Sequence, residues 1–488
     1  MEWQVKRFDT RYFPVPSLAL GVAAVLLIPC LASTLPPNRP WREQLSNWDY
    51  GGPCLLDHSC CRHNVVYYAE WREVKTPMPT PHPPYRVGIA GAGAFAAFLA
   101  GALAPLPEFE LAAVAGRTDE KRQSVISAYR LHRSEAGRPR EFREASQLIE
   151  DPDIDVVILT TPPHLHAPLG ELALKRGKHL LVEKPGALNA TALENLARLA
   201  KKQRRAFAVN LVLRYNPLVE AAEKIIRHRL LGRVYHASLR NSAHRVASGH
   251  WFWDRERSGG LFIEHGVHFF EVGRHWFGDA VEAQGFALTE ANGESSRMWA
   301  SVLHRDRTGR DDLQEGQNTR QKTGAPSPHE YIPVHYYHGF VMDSDAPEST
   351  QWDVYCAQGR IVLDGWIPQR LYIEGTLTAG QADWIDALLD AVPTQPSAEA
   401  VEKVRAAAAS ISASGHSKHL SAGRRPYRRT LELTDRQSWY EAMAQARFLE
   451  VCRMIQDSDW SGLVTPADAV ADLALAEACT ASTGRCEE

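Results

Sequence analysis

Three groups of residues in this sequence have the types and spacing to do chemistry together. The first is Glu183-Lys184-Pro185, which follows the apolar run Lys178-His179-Leu180-Leu181-Val182. Such a run reads as a buried strand, so Glu183 and Lys184 stand at its carboxyl end, where open α/β sheets bind ligands. Most Glu-Lys pairs are solvated surface, and the tripeptide gains meaning only from its company. The second group, Gly91-x-Gly93-x-x-Ala96, lies about 90 residues upstream. Its first glycine permits a tight turn and its second lets the backbone approach a pyrophosphate. The third small residue lets a helix pack close to a strand. The third group is Glu264 and His268, four residues apart. On a helix that spacing puts both side chains on one face.

The chemistry these groups suggest is hydride transfer at an alcohol carbon. Removing hydride there requires a base for the hydroxyl proton, and histidine suits the task because its ordinary pKa lies near neutrality. Glu264 could orient His268 or hydrogen-bond a substrate. Lys184 can hydrogen-bond the same hydroxyl and stabilise developing alkoxide charge. His250, His265, His268 and His275 crowd one stretch. A helical histidine is more often a packing residue, so spacing alone does not select His268.

The elements that must position these groups are legible in outline. Tyr85-Arg86-Val87-Gly88-Ile89-Ala90 reads as a strand, Gly91-Ala92-Gly93 as its turn, and Ala94 to Ala104 as a helix ended by Pro105 and Pro107. A glycine fingerprint between strand and helix is the context that makes it informative. The helix start supplies N–H groups and positive potential for phosphates, so Gly91, Gly93, Ala94 and Phe95 are candidate dinucleotide contacts. Further strands are expected at Glu110 to Ala115 and Asp155 to Thr160, with helical stretches between. That alternation predicts a doubly wound parallel sheet of Rossmann type.

A carboxylate at the end of the second strand would mark NAD, through the ribose hydroxyls. The chain instead reads Ala115-Gly116-Arg117-Thr118, with no acid before Asp119. Gly116 leaves room and Arg117 offers a planar cation for a 2′-phosphate. NADP is therefore preferred over NAD as the expected cofactor. The bland alternative is that Arg117 stacks on the adenine or faces solvent.

After about Asn210 the pattern changes. Strands such as Arg233 to Leu239 and Arg360 to Leu363 appear without regular intervening helices. This predicts an α+β domain with a large, mostly antiparallel open sheet. Residues 305–328 are polar and aperiodic, as a surface loop would be, and Lys403 to Arg428 begins helical and then breaks. The expected organisation is an extension at 1–84, a dinucleotide-binding domain at 85–210 and a substrate and oligomerisation domain at 211–482.

The chain has 488 residues, 44% of them hydrophobic, and a formal net charge of -3, which fits two globular domains with an appendage. Near-zero net charge argues against a nucleic-acid surface. Residues 12–38 carry no charge, and Lys6, Arg7 and Arg11 precede them. The segment reads as a signal peptide, a marginal membrane anchor or a non-native extension, and the sequence does not decide among these. Residues 36–84 are rich in Pro, Trp, Cys and His without a period and read as a linker. Cys54, Cys60, Cys61, His58 and His63 lie there, but without the paired C-x-x-C knuckles of structural zinc sites, so no metal is expected.

Taken in order, these motifs resemble the Gfo/Idh/MocA oxidoreductase family. The resemblance is carried by the Gly91 loop, Thr160-Thr161-Pro162-Pro163-His164-Leu165-His166, Gly177-Lys178-His179 leading into Glu183-Lys184-Pro185, and Asn210 followed by Arg214-Tyr215-Asn216-Pro217. It continues through Gly259-Gly260 to His268 and ends in a helix around Ala469 to Ala478. It implies a Rossmann domain joined to an α/β domain whose open sheet often forms an oligomer interface, so a homo-oligomer is expected. It also implies Lys184 beside the nicotinamide and reacting carbon, and His268 as the proton-transfer residue. Thr160, Thr161, Pro162, His166, Glu183 and Asn210 become cofactor contacts or pocket wall. The implied substrate is a sugar, polyol or small carbonyl compound. Glu264 and Glu271 stand where the family usually has Asp, which weakens the expected assisting role of Glu264. Two alternatives remain at this point: a non-catalytic NADP-binding regulator of the same fold, and a cofactor-assisted glycosidase. A reduced-nicotinamide enzyme works most simply in the cytosol, whereas an N-terminal signal would export it. Trp251, Trp253, Tyr336, Tyr337 and Trp366 read as core or as an aromatic wall for a sugar face.

Overall fold

Strand and helix alternate from Tyr85 as the hydrophobic pattern requires. The order is β1 (Tyr85–Ala90), α1 (Ala94–Leu103), β2 (Phe109–Ala115), α2 (Asp119–His132), β3 (Arg140–Phe142), α3 (Ala145–Glu150), β4 (Val156–Leu159), α4 (His166–Lys175), β5 (His179–Val182), α5 (Ala190–Gln203) and β6 (Phe207–Val209). All four residues of β4 are buried. An unbroken apolar run is what a parallel strand covered on both faces needs. The six strands are parallel, in the order β3-β2-β1-β4-β5-β6. The order reverses between β1 and β4, and a crevice opens there at the carboxyl ends of the strands. The Gly91 loop, Thr160, Glu183 and Asn210 each follow one of these strands directly and so share that edge.

The computed structural model describes residues 83–135, 137–290, 292–306, 330–413, 423–460 and 462–482. The apolar segment 12–38, the linker cysteines and nearly all of the polar segment 305–328 lie outside the described residues. Among the described residues no helix is long and apolar enough to cross a membrane.

Past Asn210 come α6 (Pro217–Arg227), β7 (Val234–His244), α7 (Val267–Phe277), β8 (Ala280–Thr289), β9 (Ser295–Arg305), β10 (Tyr331–Met342), β11 (Ser349–Cys356), β12 (Gly359–Asp364) and β13 (Arg370–Leu377). Then follow α8 (Ala379–Asp390), α9 (Ala400–Ala413), β14 (Arg425–Glu432), α10 (Arg436–Gln456) and α11 (Pro466–Ala481). The second sheet runs β14-β13-β12-β11-β7-β10-β9-β8, and every pairing is antiparallel except β7 with β10. Burial in β9 alternates residue by residue, with Ser296, Met298, Ala300, Val302 and His304 inside. That period of two marks a sheet covered on one face.

The chain then returns to the first sheet. Ala444, Phe448, Val451 and Cys452 of α10 join Val87, Ile89, Val156 and Ile158 in one apolar cluster. Arg447, on the same helix, is completely buried. Its guanidinium donates to Val209 O at 2.7 Å and to the Tyr215 hydroxyl at 2.8 Å, and it pairs with Glu450. These contacts lock α10 onto the carboxyl end of β6. A buried charge left without its partner is strongly destabilising, so this helix is held in one register.

Phe448→Ala should lower the unfolding free energy by about 3 kcal/mol, since it empties a closed apolar site. Leu131→Ala, at a side chain 79% exposed, should change it by less than about 0.5 kcal/mol. Chemical denaturation of the two variants checks the contrast, and equal effects would contradict the packing described.

Candidate active site

The glycine turn is built for close approach. Gly91 has φ +114, and a Cβ there would lie 2.6 Å from the Thr160 backbone, so only glycine fits. Thr160 Oγ1 donates to Gly91 O at 3.1 Å, which ties the ends of β1 and β4 together. Gly93 caps α1 without any side-chain bond, and a Cβ there would meet nothing within 4 Å. The first N–H groups of α1, around Ala94 and Phe95, therefore face open space with the positive end of the helix behind them.

Lys184 reaches across from the end of β5 to the second sheet's helices. Its Nζ donates to Glu264 Oε1 at 2.6 Å and to Glu264 O at 2.9 Å. The Lys184-Pro185 peptide is cis. Glu264 is not on a regular α-helix: Phe262–Gly266 forms a π turn that leads into α7. π turns widen a helix locally and recur at functional sites. The spacing argument still delivers both groups to one place, because Glu264 and His268 line the same cavity. This cavity, about 400 Å³, is lined by Phe95, Thr160, Thr161, Pro163, Glu183, Lys184 and Asn210 from the first sheet's edge. Trp251, Glu264, His265, His268, Trp366 and Tyr440 complete it.

His268 is buried, and burial, reinforced by the Lys184 charge, holds its imidazole well below the ordinary pKa. It is therefore neutral at pH 7 and able to accept a proton. Its Nδ1 has no hydrogen-bond partner among the described residues, and neither do Thr161 Oγ1 and Asn210 Oδ1. Buried polar atoms left unmet around a crevice are what a polar ligand satisfies. Asn210 Nδ2 donates to Glu183 Oε1 at 2.5 Å. Burial nevertheless raises the Glu183 carboxyl to about 7, with Asn210 and Lys184 opposing the rise.

Not every expected contact faces the cavity. His166 is completely buried, and its Nε2 bonds Thr161 O at 2.6 Å, so it braces the Thr161 loop from behind. Pro163, rather than Pro162, forms the wall. Arg117 is exposed at the end of β2, beside Gly116. Arg122 occupies the same corner but is committed to Gly116 O at 2.6 Å, to Glu141 and to Asp119. Glu271 is not at the site: it pairs with Arg214 inside a buried network that includes Asp468. Of the aromatic residues, Trp251 and Trp366 belong to the cavity, whereas Tyr336 is core, with 0% exposure. Tyr440 and His265 were not singled out as site residues by sequence. Tyr440 stands on α10, more than 170 residues beyond His268, and only the return of that helix to the first sheet reveals it.

The comparisons with known proteins agree with this architecture. Residues 85–211 match the oxidoreductase family with an NAD-binding Rossmann fold, Gfo/Idh/MocA, and residues 219–312 match the Gfo/Idh/MocA C-terminal domain. A dehydrogenase of Aspergillus oryzae, aclE, is 32% identical over 28% of this chain and 36% of its own length. A myo-inositol 2-dehydrogenase of Thermotoga maritima is 23% identical over 42% of this chain and 59% of its own. The chain thus spans between about a third and three-fifths of the length of these relatives. A Synechocystis biliverdin reductase, solved with biliverdin and NADP+, superposes with a TM-score of 0.56 at 16% identity, over 82% of this chain and 99% of that one. The chain belongs to the Gfo/Idh/MocA oxidoreductase family, and its first domain is an NAD(P)-binding Rossmann domain.

Glu183 gives a testable signature. Its carboxyl titrates near 4.5 when unfolded and near 7 when folded. Between those values the unfolded chain has released its proton while the folded chain keeps it, so stability falls as pH rises, by up to about 3 kcal/mol, and then levels off. Glu183→Gln keeps an acceptor for Asn210 and removes the titration. The variant should match the parent near pH 4.5 and exceed it increasingly up to pH 8, as measured by Tm across that range. A difference independent of pH would exclude this account.

Proposed function

We propose that this chain is an NADP-preferring oxidoreductase that interconverts an alcohol and a carbonyl on a sugar, polyol or small carbonyl compound. The observation that carries the reading is the convergence of Lys184, Glu264 and His268 on one cavity that Phe95 and Thr160, beside the glycine loop, also line. Relatives named as a myo-inositol 2-dehydrogenase and a dTDP-hexose 3-reductase support the substrate class. Gly91, Gly93, Ala94 and Phe95 would hold the pyrophosphate, and Thr161 and Asn210 would meet the nicotinamide end. When bound, the nicotinamide takes up or returns the hydride of the reacting carbon.

The chain's own residues manage the proton. A hydroxyl placed between Lys184 and His268 passes its proton to the neutral His268 as the C–H electron pair leaves. The Lys184 ammonium, fixed by Glu264, stabilises the oxygen while it carries negative charge. In the reductive direction the same proton returns from His268. Glu264 touches Lys184 and acts chiefly by placing it. Arg117, exposed beside Gly116 at a corner where Asp119 and Glu141 are both engaged by Arg122, supports a preference for the 2′-phosphate.

Lys184→Ala and His268→Ala should each lower kcat by at least about 100-fold while NADPH binding, followed by fluorescence titration, stays close to that of the parent. The acid limb of kcat/KM for alcohol oxidation should lie below the ordinary histidine value, since burial depresses His268. Near-normal turnover in either variant would remove that residue from the mechanism. Arg117→Ala should cost at least about tenfold in the ratio of NADPH to NADH affinity. An unchanged ratio would refute the assignment of Arg117.

A further inference from the structure

One carboxylate of the cavity wall, Glu183, has no ion-pair partner among the described residues. It is buried just past the end of β5. Its hydrogen-bond donors are neutral: Asn210 Nδ2, which reaches its Oε1 at 2.5 Å, and the main-chain N–H of Lys184. The Lys184 ammonium is next in the chain, but it is bonded to the carboxylate and the main-chain carbonyl of Glu264. Among the described lining residues there is no arginine and no second lysine. Taking a carboxylate out of water without a cation beside it disfavours its charged form.

The other titratable groups around the cavity are held in one state. Burial, reinforced by neighbouring positive charge, keeps His265 of the π turn and His268 of α7 neutral. His166, behind the Thr161 loop, is lowered to about 4, chiefly by burial. Tyr440 of α10 has its hydroxyl raised by burial and by the Glu183 charge, so it keeps its proton. Glu264 and Lys184 answer one another at 2.6 Å. Glu183 itself is lifted by burial to about 7, with Asn210 and Lys184 opposing the rise and Glu264 adding to it. A buried carboxyl in that position ionises when a cation is brought beside it and takes up a proton when the cation leaves.

We propose that Glu183 is the counter-charge of the oxidised nicotinamide ring: it meets NADP+ as the carboxylate and NADPH as the carboxylic acid. The inference rests on the reading above, which puts the nicotinamide end beside Asn210, and it adds a proton to that reading. The ring is cationic when oxidised and neutral when reduced, so the two forms differ by one charge at this end of the cavity. Binding the oxidised form drives the proton off Glu183, whereas binding the reduced form leaves it in place. During alcohol oxidation the hydride carries two electrons to the ring and cancels its charge, and the hydroxyl proton passes to His268. His268 then gives up that proton and Glu183 takes one up. The net charge of the cavity is the same before and after, and no proton is lost to solvent while the cofactor stays bound.

The test is a binding measurement and needs no turnover. Calorimetric titration of the full chain with NADP+ and with NADPH at pH 6.5, repeated in buffers of different ionisation enthalpy, counts the protons exchanged. NADP+ should release between about half a proton and one proton more than NADPH. The 2′-phosphate is common to both forms and cancels in the difference. Relative to NADPH, the affinity for NADP+ should rise about tenfold from pH 6 to pH 8. Glu183→Gln should abolish both differences, while His268→Ala should keep them, and retained NADPH binding reports that each variant is folded. The NAD+ and NADH pair should show the same proton difference, because the charge resides on the nicotinamide, so a mistaken cofactor preference does not obscure the result. Equal proton counts for the two forms in the parent would overturn the inference and leave the oxidoreductase reading standing, as would a difference that survives in Glu183→Gln. If the glutamine variant binds neither form, the parental comparison decides alone. Failure of the parent to bind any of the four cofactors would overturn the reading and the inference with it.

Discussion

The bond between Lys184 and Glu264 is the contact on which the site's geometry depends. It joins the carboxyl edge of the parallel sheet to the helical layer over the second sheet, and it does so inside the cavity. It is a direct bond between side chains on the two sides of that cavity. Glu264 receives Lys184 twice, through its carboxylate at 2.6 Å and its main-chain carbonyl at 2.9 Å. The second bond depends on backbone alone. The π turn that contains Glu264 interrupts the regular helical ladder, and a carbonyl of this interrupted stretch accepts from the lysine.

Such a contact is useful only if the elements behind it do not drift. Two buried charge networks, both built from distant parts of the chain, serve that purpose. Arg447 and Glu450 of α10 bind Val209 O and Tyr215 at the end of the first sheet. Arg214 pairs with Glu271 on the helix that bears His268, and Arg274 of the same helix pairs with Asp472 on α11 at 2.7 Å. Burying these ions is expensive, and each is tolerable only with its partner in place. The arrangement therefore gives up some stability for a fixed relation between His268, the C-terminal helices and the nucleotide crevice. Glu271 belongs to this scaffold: it pairs with Arg214 and is not among the residues that line the cavity.

Much of this was legible in sequence because it is local. The Gly91 turn, the strand that leads into Glu183 and the strand around Val156 follow from glycine steric freedom and unbroken apolar runs within a few residues. The paired Glu264 and His268 also read correctly as neighbours, although the helix between them is a π turn, which residue spacing does not distinguish from an α-helix. What could not be read is what depends on the chain's return. Tyr440 looks like any tyrosine on an amphipathic helix until Phe448 and Arg447 place that helix against the first sheet. His166 differs in the opposite sense: its motif position suggests a cofactor contact or pocket wall, while its Nε2 bonds Thr161 O and it is not among the cavity-lining residues. Its role shows only when burial is known.

The replacement of Asp by Glu at position 264 acquires a physical meaning from this geometry. A shorter carboxylate on the same backbone would end roughly an ångström or more short of its present position, and errors of that size can cost about 100-fold in rate when the group must touch the reacting atoms. Here the carboxylate's observed contact is the lysine, not the cavity centre. The backbone carbonyl already holds Lys184 from one side, so the side chain has only to reach the same ammonium, and the longer arm does so at 2.6 Å. The π turn and the extra methylene are thus compatible adjustments: one sets where the carbonyl points, the other spans the remaining gap. The constraint on this position is the distance to Lys184, and glutamate satisfies it on this backbone.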